Sequence, residues 1–156
     1  MKINFKALLV SIVIPLSVGL ISGFLSRGGM EQFASLDKPP LSPPGILFPI
    51  VWTILYILMG VASYLVFSSE KNNQDVKDAL TVYGLQLAVN FFWSIFFFNL
   101  EWYLFSFFWL ILLWVLIFYT IRLFYPISKP AAYLMIPYLL WVTFAGYLNL
   151  GVYLLN

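Results

Sequence analysis

The chain has no cysteine and no histidine. Without cysteine there is no disulfide, no zinc–thiolate site and no thiol nucleophile. Without histidine the commonest general base and the commonest metal ligand are both missing. Charge is scarce as well: charged residues make up 9% of the chain, against about 25% in a typical soluble domain. Eight basic and six acidic residues leave a net charge of +2, too weak and too scattered for a nucleic-acid partner. So few charged side chains cannot coat a water-facing surface on a 156-residue fold.

What fills the chain instead is apolar. Hydrophobic residues reach 63%, against roughly 45–50% in globular proteins. Aromatic residues reach 21%, which suits a bilayer, because Trp and Tyr gather at membrane interfaces. A helix needs about 20 apolar residues to cross the hydrocarbon core. Five charge-free windows have that size: Ala7–Leu25, Gly45–Phe67, Ala79–Leu100, Trp102–Ile121 and Pro130–Asn156. They are too long for membrane strands. The sequence therefore predicts an all-α integral membrane protein, a single domain over 1–156 with five transmembrane helices in one bundle. The helices are expected at about 5–26, 45–67, 78–100, 102–123 and 129–154.

The segment 27–44 is the outlying connection. It ends in KPPLSPP, and Pro39, Pro40, Pro43 and Pro44 predict a stiff loop folded over the bundle as a lid. Basic residues set the orientation. Lys2, Lys6, Lys71, Lys77, Arg122 and Lys129 share one side, and only Arg27 and Lys38 lie on the other. A multi-pass protein of the cell membrane is expected, with its N-terminus cytoplasmic and its first loop and C-terminus outside.

Polar groups at membrane depth are costly and mark places of interest. Gln86, Asn90 and Trp93 fall on one face of the third helix, and Trp141, Ala145 and Asn149 on one face of the fifth. Trp52, Tyr56 and Gly60 repeat the spacing on the second. Either these stripes face one another and line a pocket with aromatic walls and a few amides, or the amides bond between helices. Counted inward from the loop side at the helical rise, Trp52 lies about 10 Å deep and Trp141 about 20 Å. No charge lies mid-helix, so a proton relay or an ion site is not expected. No metal site is expected, and no cofactor is required. Gly19-x-x-x-Gly23 and Gly84-x-x-x-Ala88 are small-residue patterns for helix contact, the second favoured for a homodimer through helix three.

Four segments carry a resemblance: KPPLSPP at Lys38–Pro44, WTILYILMGVASYLV at Trp52–Val66, QLAVNFFWS at Gln86–Ser94 and PYLLWVTFAGYLNL at Pro137–Leu150. In this order the chain resembles a bacterial-type member of the translocator protein family, the tryptophan-rich sensory proteins (TspO/MBR). The resemblance implies a five-helix bundle, often dimeric, with a pocket capped by the first loop. It implies binding of porphyrins, and of isoquinoline carboxamide or benzodiazepine-type ligands. Carried onto this chain, the implied pocket residues are Trp52, Tyr56, Asn90, Trp93, Trp141 and Ala145. Gln86, Asn149, Pro43 and Pro44 complete the expected ligand-binding set. Trp52 and Trp141 match tryptophans linked to light- and oxygen-dependent porphyrin breakdown, so they are the expected catalytic residues if porphyrin is a substrate rather than only a ligand. The alternatives are a tetrapyrrole or small-molecule transporter, and a stress-sensing regulator without catalysis.

Three positions depart from the family pattern. Leu41 and Ile46 stand where tryptophan is frequent, and Pro49 lies three residues before Trp52 rather than two. Tyr153 is followed by no basic residue, so the sterol motif of animal members is incomplete and sterol binding is not expected.

Overall fold

A computed structural model describes residues 2–156. Six α-helices make five membrane-length spans: α1 (Phe5–Phe33), α2 (Leu47–Phe67), α3 (Asn73–Ser94), α4 (Tyr103–Phe124), and α5 (Lys129–Leu134) followed by α6 (Ile136–Leu155). Among the described residues there is no strand. The protein is a five-span helical membrane bundle, and helices satisfy the backbone internally, as lipid requires.

The helix starts obey local chemistry. The Asn4 side chain accepts from the Ala7 N–H, Asn72 from Gln74 and Asp75, and Ser128 from Ala131. Each supplies an acceptor to N–H groups that the first helical turn cannot pair. The fifth span breaks between α5 and α6 at Met135. Pro137 follows two residues later, and proline has no N–H to give the preceding turn. The third span ends in a π-helical turn, Ile95–Asn99.

The helices form a ring in the order α1, α2, α5/α6, α4, α3, and α3 returns to α1. Two glycines let α1 lie close on α2. A Cβ on Gly60 would strike the backbone of Ile12 and Ser11, and one on Gly19 would strike the ring of Tyr56. Gly23 and Gly84 have open space at that position.

The first helix differs from expectation. It runs to Phe33 rather than stopping near residue 26, so the first loop spans 34–46 rather than 27–44. Gly28 and Gly29 lie inside this helix, and only the second is in close contact with a neighbour. Gly29 sits against the backbone of Phe98 in the π-helical turn, where no Cβ fits. Phe33 then packs on Phe97 and Phe98, with ring centroids 5.5 and 5.4 Å apart. The third helix starts at Asn73, ahead of the expected residue 78, because the Asn72 cap draws the polar segment NQDVK into the helix.

Candidate functional site

Three faces predicted from spacing meet between α2, α3 and α6. Their buried polar groups form one chain of hydrogen bonds. The Tyr56 hydroxyl donates to Asn90 Oδ1 at 2.8 Å. Asn90 Nδ2 donates to the Tyr138 oxygen at 2.8 Å, and the Tyr138 hydroxyl donates to Gln86 Oε1 at 2.6 Å. Gln86 Nε2 faces the Met59 sulfur at 3.9 Å. A second link ties the other end of the same face: Trp93 Nε1 donates to Asn149 Oδ1 at 3.1 Å, and Asn149 Nδ2 donates to the Tyr103 carbonyl at 2.8 Å. Gln86, Asn90 and Asn149 are all buried. Each amide therefore joins helices, with donors and acceptors satisfied where lipid offers none.

Tyr138 is the hub of this network, and spacing alone missed it. It is wholly buried and lies three residues before Trp141, on the same helical face. Extending the Trp141–Ala145–Asn149 stripe back by one turn reaches it.

Above the network sits a layer of rings. Trp52 stacks on Tyr56 with centroids 5.5 Å apart and an interplanar angle of 27°, and meets Tyr138 edge-on at 6.2 Å. Trp141 meets Phe48 edge-on at 5.8 Å and packs on Phe144 at 5.6 Å. Trp52 and Trp141 are half-buried. The Trp141 indole N–H is buried and has no hydrogen-bond partner. Ala145 is buried on the same face of α6, one turn from Trp141. Trp93 lies apart from these rings, stacked on Phe97 at 5.1 Å, where its N–H fastens α3 to α6.

Two expectations about placement change. Trp141 packs against the first turn of α2, one turn outward of Trp52, so it is not the deeper of the two. Counting the helical rise inward from each helix end assumes level ends; α2 begins at Leu47, well below the outer end of α6. Gly60 faces α1 rather than the site, as its contact with Ile12 shows.

The loop closes the outer side. Pro39 is buried against Gly151, and the Tyr147 hydroxyl donates to the Pro40 carbonyl at 2.7 Å. Pro43 is half-buried and Pro44 is exposed. Leu41, at the position where tryptophan is frequent, is 84% exposed with φ 71°. A left-handed backbone there turns its side chain out of the bundle instead of down onto the rings.

A helical bundle of five membrane spans, with tryptophans over a buried Tyr–Asn–Tyr–Gln chain, defines a class of polytopic membrane protein with an aromatic intrabundle site. The family model for the TspO/MBR family matches residues 11–155, and the chain belongs to that family. It is 38% identical over 142 residues to the tryptophan-rich protein TspO of Chlorobaculum tepidum, covering 90% of each chain. It is 36% identical over 155 residues to the tryptophan-rich protein TspO of Archaeoglobus fulgidus, covering 98% of this chain and 99% of that one. The translocator protein of Bos taurus is 33% identical over 142 residues, 88% of this chain and 82% of its own.

Proposed function

We propose that the protein binds porphyrins of the protoporphyrin IX type, and other flat hydrophobic ligands, in the aromatic layer between α2 and α6. The observation that carries this reading is the unpartnered indole N–H of Trp141. A buried donor without an acceptor costs about 1–3 kcal/mol, and a ligand carbonyl or carboxylate would satisfy it. The surrounding rings offer flat apolar faces for stacking. The amides beneath are already bonded to Tyr56, Tyr138, Trp93 and the Tyr103 carbonyl, so they shape the floor and leave polar recognition to Trp141. Family membership supports the same reading. The test is a titration of the purified protein with metal-free protoporphyrin, followed by absorbance and tryptophan quenching in darkness. A saturable one-to-one isotherm is expected, and a linear, unsaturating response would overturn it.

The half-buried indoles of Trp52 and Trp141 favour a second reading, in which bound porphyrin is degraded in light and oxygen. The porphyrin itself would absorb the light, and a neighbouring indole would be the oxidisable group. Illumination at equal occupancy should then give a discrete product with the wild-type protein and far less with Trp52→Phe, since phenylalanine stacks but resists oxidation. Equal product from both would leave the indoles as walls.

The membrane orientation proposed is the one set by basic residues, with the N-terminus cytoplasmic and the loop and C-terminus outside. The exposed Gly84–Ala88 stripe of α3 is the proposed face for a homodimer.

A further inference from the structure

The site is fastened unequally on its two open sides. On the outer side, the first loop is zipped down the last turns of α6. The Asp37 N–H donates to Asn156 Oδ1 at 3.3 Å, and Asn156 Nδ2 donates to the Asp37 carbonyl at 2.9 Å. Pro39 then seats on Gly151, where only a missing Cβ leaves room for its ring. The Tyr147 hydroxyl takes the Pro40 carbonyl. Within the loop, Lys38 Nζ donates to the carbonyls of Ala34 and Leu36, both at 3.2 Å, and it lies 5.0 Å from the ring centroid of Phe33 at the end of α1.

The lateral side has no such fastening. α2 packs along α5 and hardly meets α6. Among the described residues no side-chain hydrogen bond joins α2 to α6; ring contacts bridge the gap, Phe48 to Trp141 and Trp52 to Tyr138. Ile54 on α2 and Leu140 on α6 are 53% and 64% exposed, so both helices present apolar side chains to lipid in a bilayer.

We propose that ligands reach the site sideways from the bilayer, through the aromatic seam between α2 and α6, while the first loop stays fastened. This rests on the porphyrin-binding reading of the same site. A flat apolar ligand concentrates in the hydrocarbon, so the route that opens onto lipid meets the higher concentration. Turning aside half-buried rings is a side-chain motion, whereas lifting the loop breaks several hydrogen bonds and unseats a buried proline.

The chain has no cysteine, so Asp37→Cys with Asn156→Cys places one disulfide across the loop and α6. Association of metal-free protoporphyrin is followed by stopped-flow tryptophan quenching, with the protein in lipid nanodiscs, oxidised and reduced. The oxidised protein is expected to bind at the reduced rate, and the rate to follow the porphyrin-to-lipid ratio. A slowing of about tenfold on oxidation, reversed by dithiothreitol, would overturn the lateral route in favour of a lifting loop. The converse variant, Tyr147→Phe with Asn156→Ala, unfastens the loop and is expected to leave the association rate unchanged. An acceleration of about tenfold would overturn the route even if the disulfide variant fails to fold. Equilibrium titration separates the two failures: protein that binds no porphyrin refutes the binding reading, and protein that binds only when the loop is free refutes the route.

Discussion

The two ends of the bundle are built on opposite plans. At the end where α5 lies, Val66, Ala79, Phe124, Ala131, Ala132 and Met135 are each at most 1% exposed. Small side chains bring backbones together there, and α5 closes on both α2 and α4. At the loop end Phe48, Trp52, Trp141 and Phe144 are only half-buried. Rings span a gap that the backbones leave open. Lipid tails are as apolar as the side chains, so burial of apolar area does not drive helices together in a membrane; close packing and hydrogen bonds do. Where alanine and glycine permit close approach the bundle is sealed, and where tryptophan keeps the helices apart lies the site proposed for a ligand. The Tyr56–Asn90–Tyr138–Gln86 chain lies between the two plans and joins α2, α3 and α6 across the change.

Breaking the sealed part should cost most. Gly60→Leu drives a side chain into the backbone of Ile12, which has nowhere to retreat. Overpacking of this kind costs about 1–3 kcal/mol. A clear fall in the thermal-unfolding midpoint in detergent is expected, and an unchanged midpoint would show that α1 is not held by this crossing.

Removing the hub between the two plans should cost less. Tyr138→Phe keeps the ring under Trp52 but leaves an amide donor of Asn90 and the acceptor of Gln86 unpaired. Each buried unpaired group costs about 1–3 kcal/mol in water-soluble proteins, and interhelical bonds in membranes average about 0.6 kcal/mol, so a loss near 1 kcal/mol is expected. The same midpoint measurement reads it. Stability equal to wild type would mean that the amides find new partners.

In the open part, stability should barely move while affinity does. Trp141→Phe removes an unpartnered buried donor, so the midpoint should hold or rise. Affinity for a ligand bearing a carbonyl or carboxylate should fall about two- to tenfold, the worth of one hydrogen bond at about 0.5–1.5 kcal/mol. A flat ligand with no acceptor should bind as before, and an equal loss for both ligands would show that the indole acts only as a wall.

The smallest effect is expected on the outer face of α3. A Cβ at Gly84 meets open space, so Gly84→Ala should leave the monomer unharmed or gain up to about 0.5–1 kcal/mol from helix propensity. Beside Gly60→Leu this variant separates a glycine needed for packing from one that is not. A fall in the dimer population on size exclusion, with the fold intact, would mark Gly84 as a contact between copies.

The spans were plain in the sequence because lipid leaves only one economical solution for runs of this length and apolarity. The site's faces were equally readable: Gln86–Asn90 and Trp141–Ala145–Asn149 keep helical spacing, and the structure turns both inward. What those amides bond to was not readable. Spacing gives a direction from one helix axis, while a hydrogen bond needs the distance between two, which is how Tyr138 escaped notice. The end of α1 was not readable for the same reason, since the contact of Gly29 with Phe98 joins residues far apart in the chain.

The sequence by itself determined that this chain lives in a membrane, how many times it crosses, and which helix faces carry polar groups, because these follow from composition and period along one chain. Only the tertiary structure decided that Asn90 and Gln86 are tied to tyrosines and Asn149 to Trp93, that Trp141 keeps a free donor, and that Trp141 stands level with the start of α2. Those depend on how far each helix slides and tilts against the next, and that is set by contacts between residues such as Gly60 and Ile12 that are far apart in the chain.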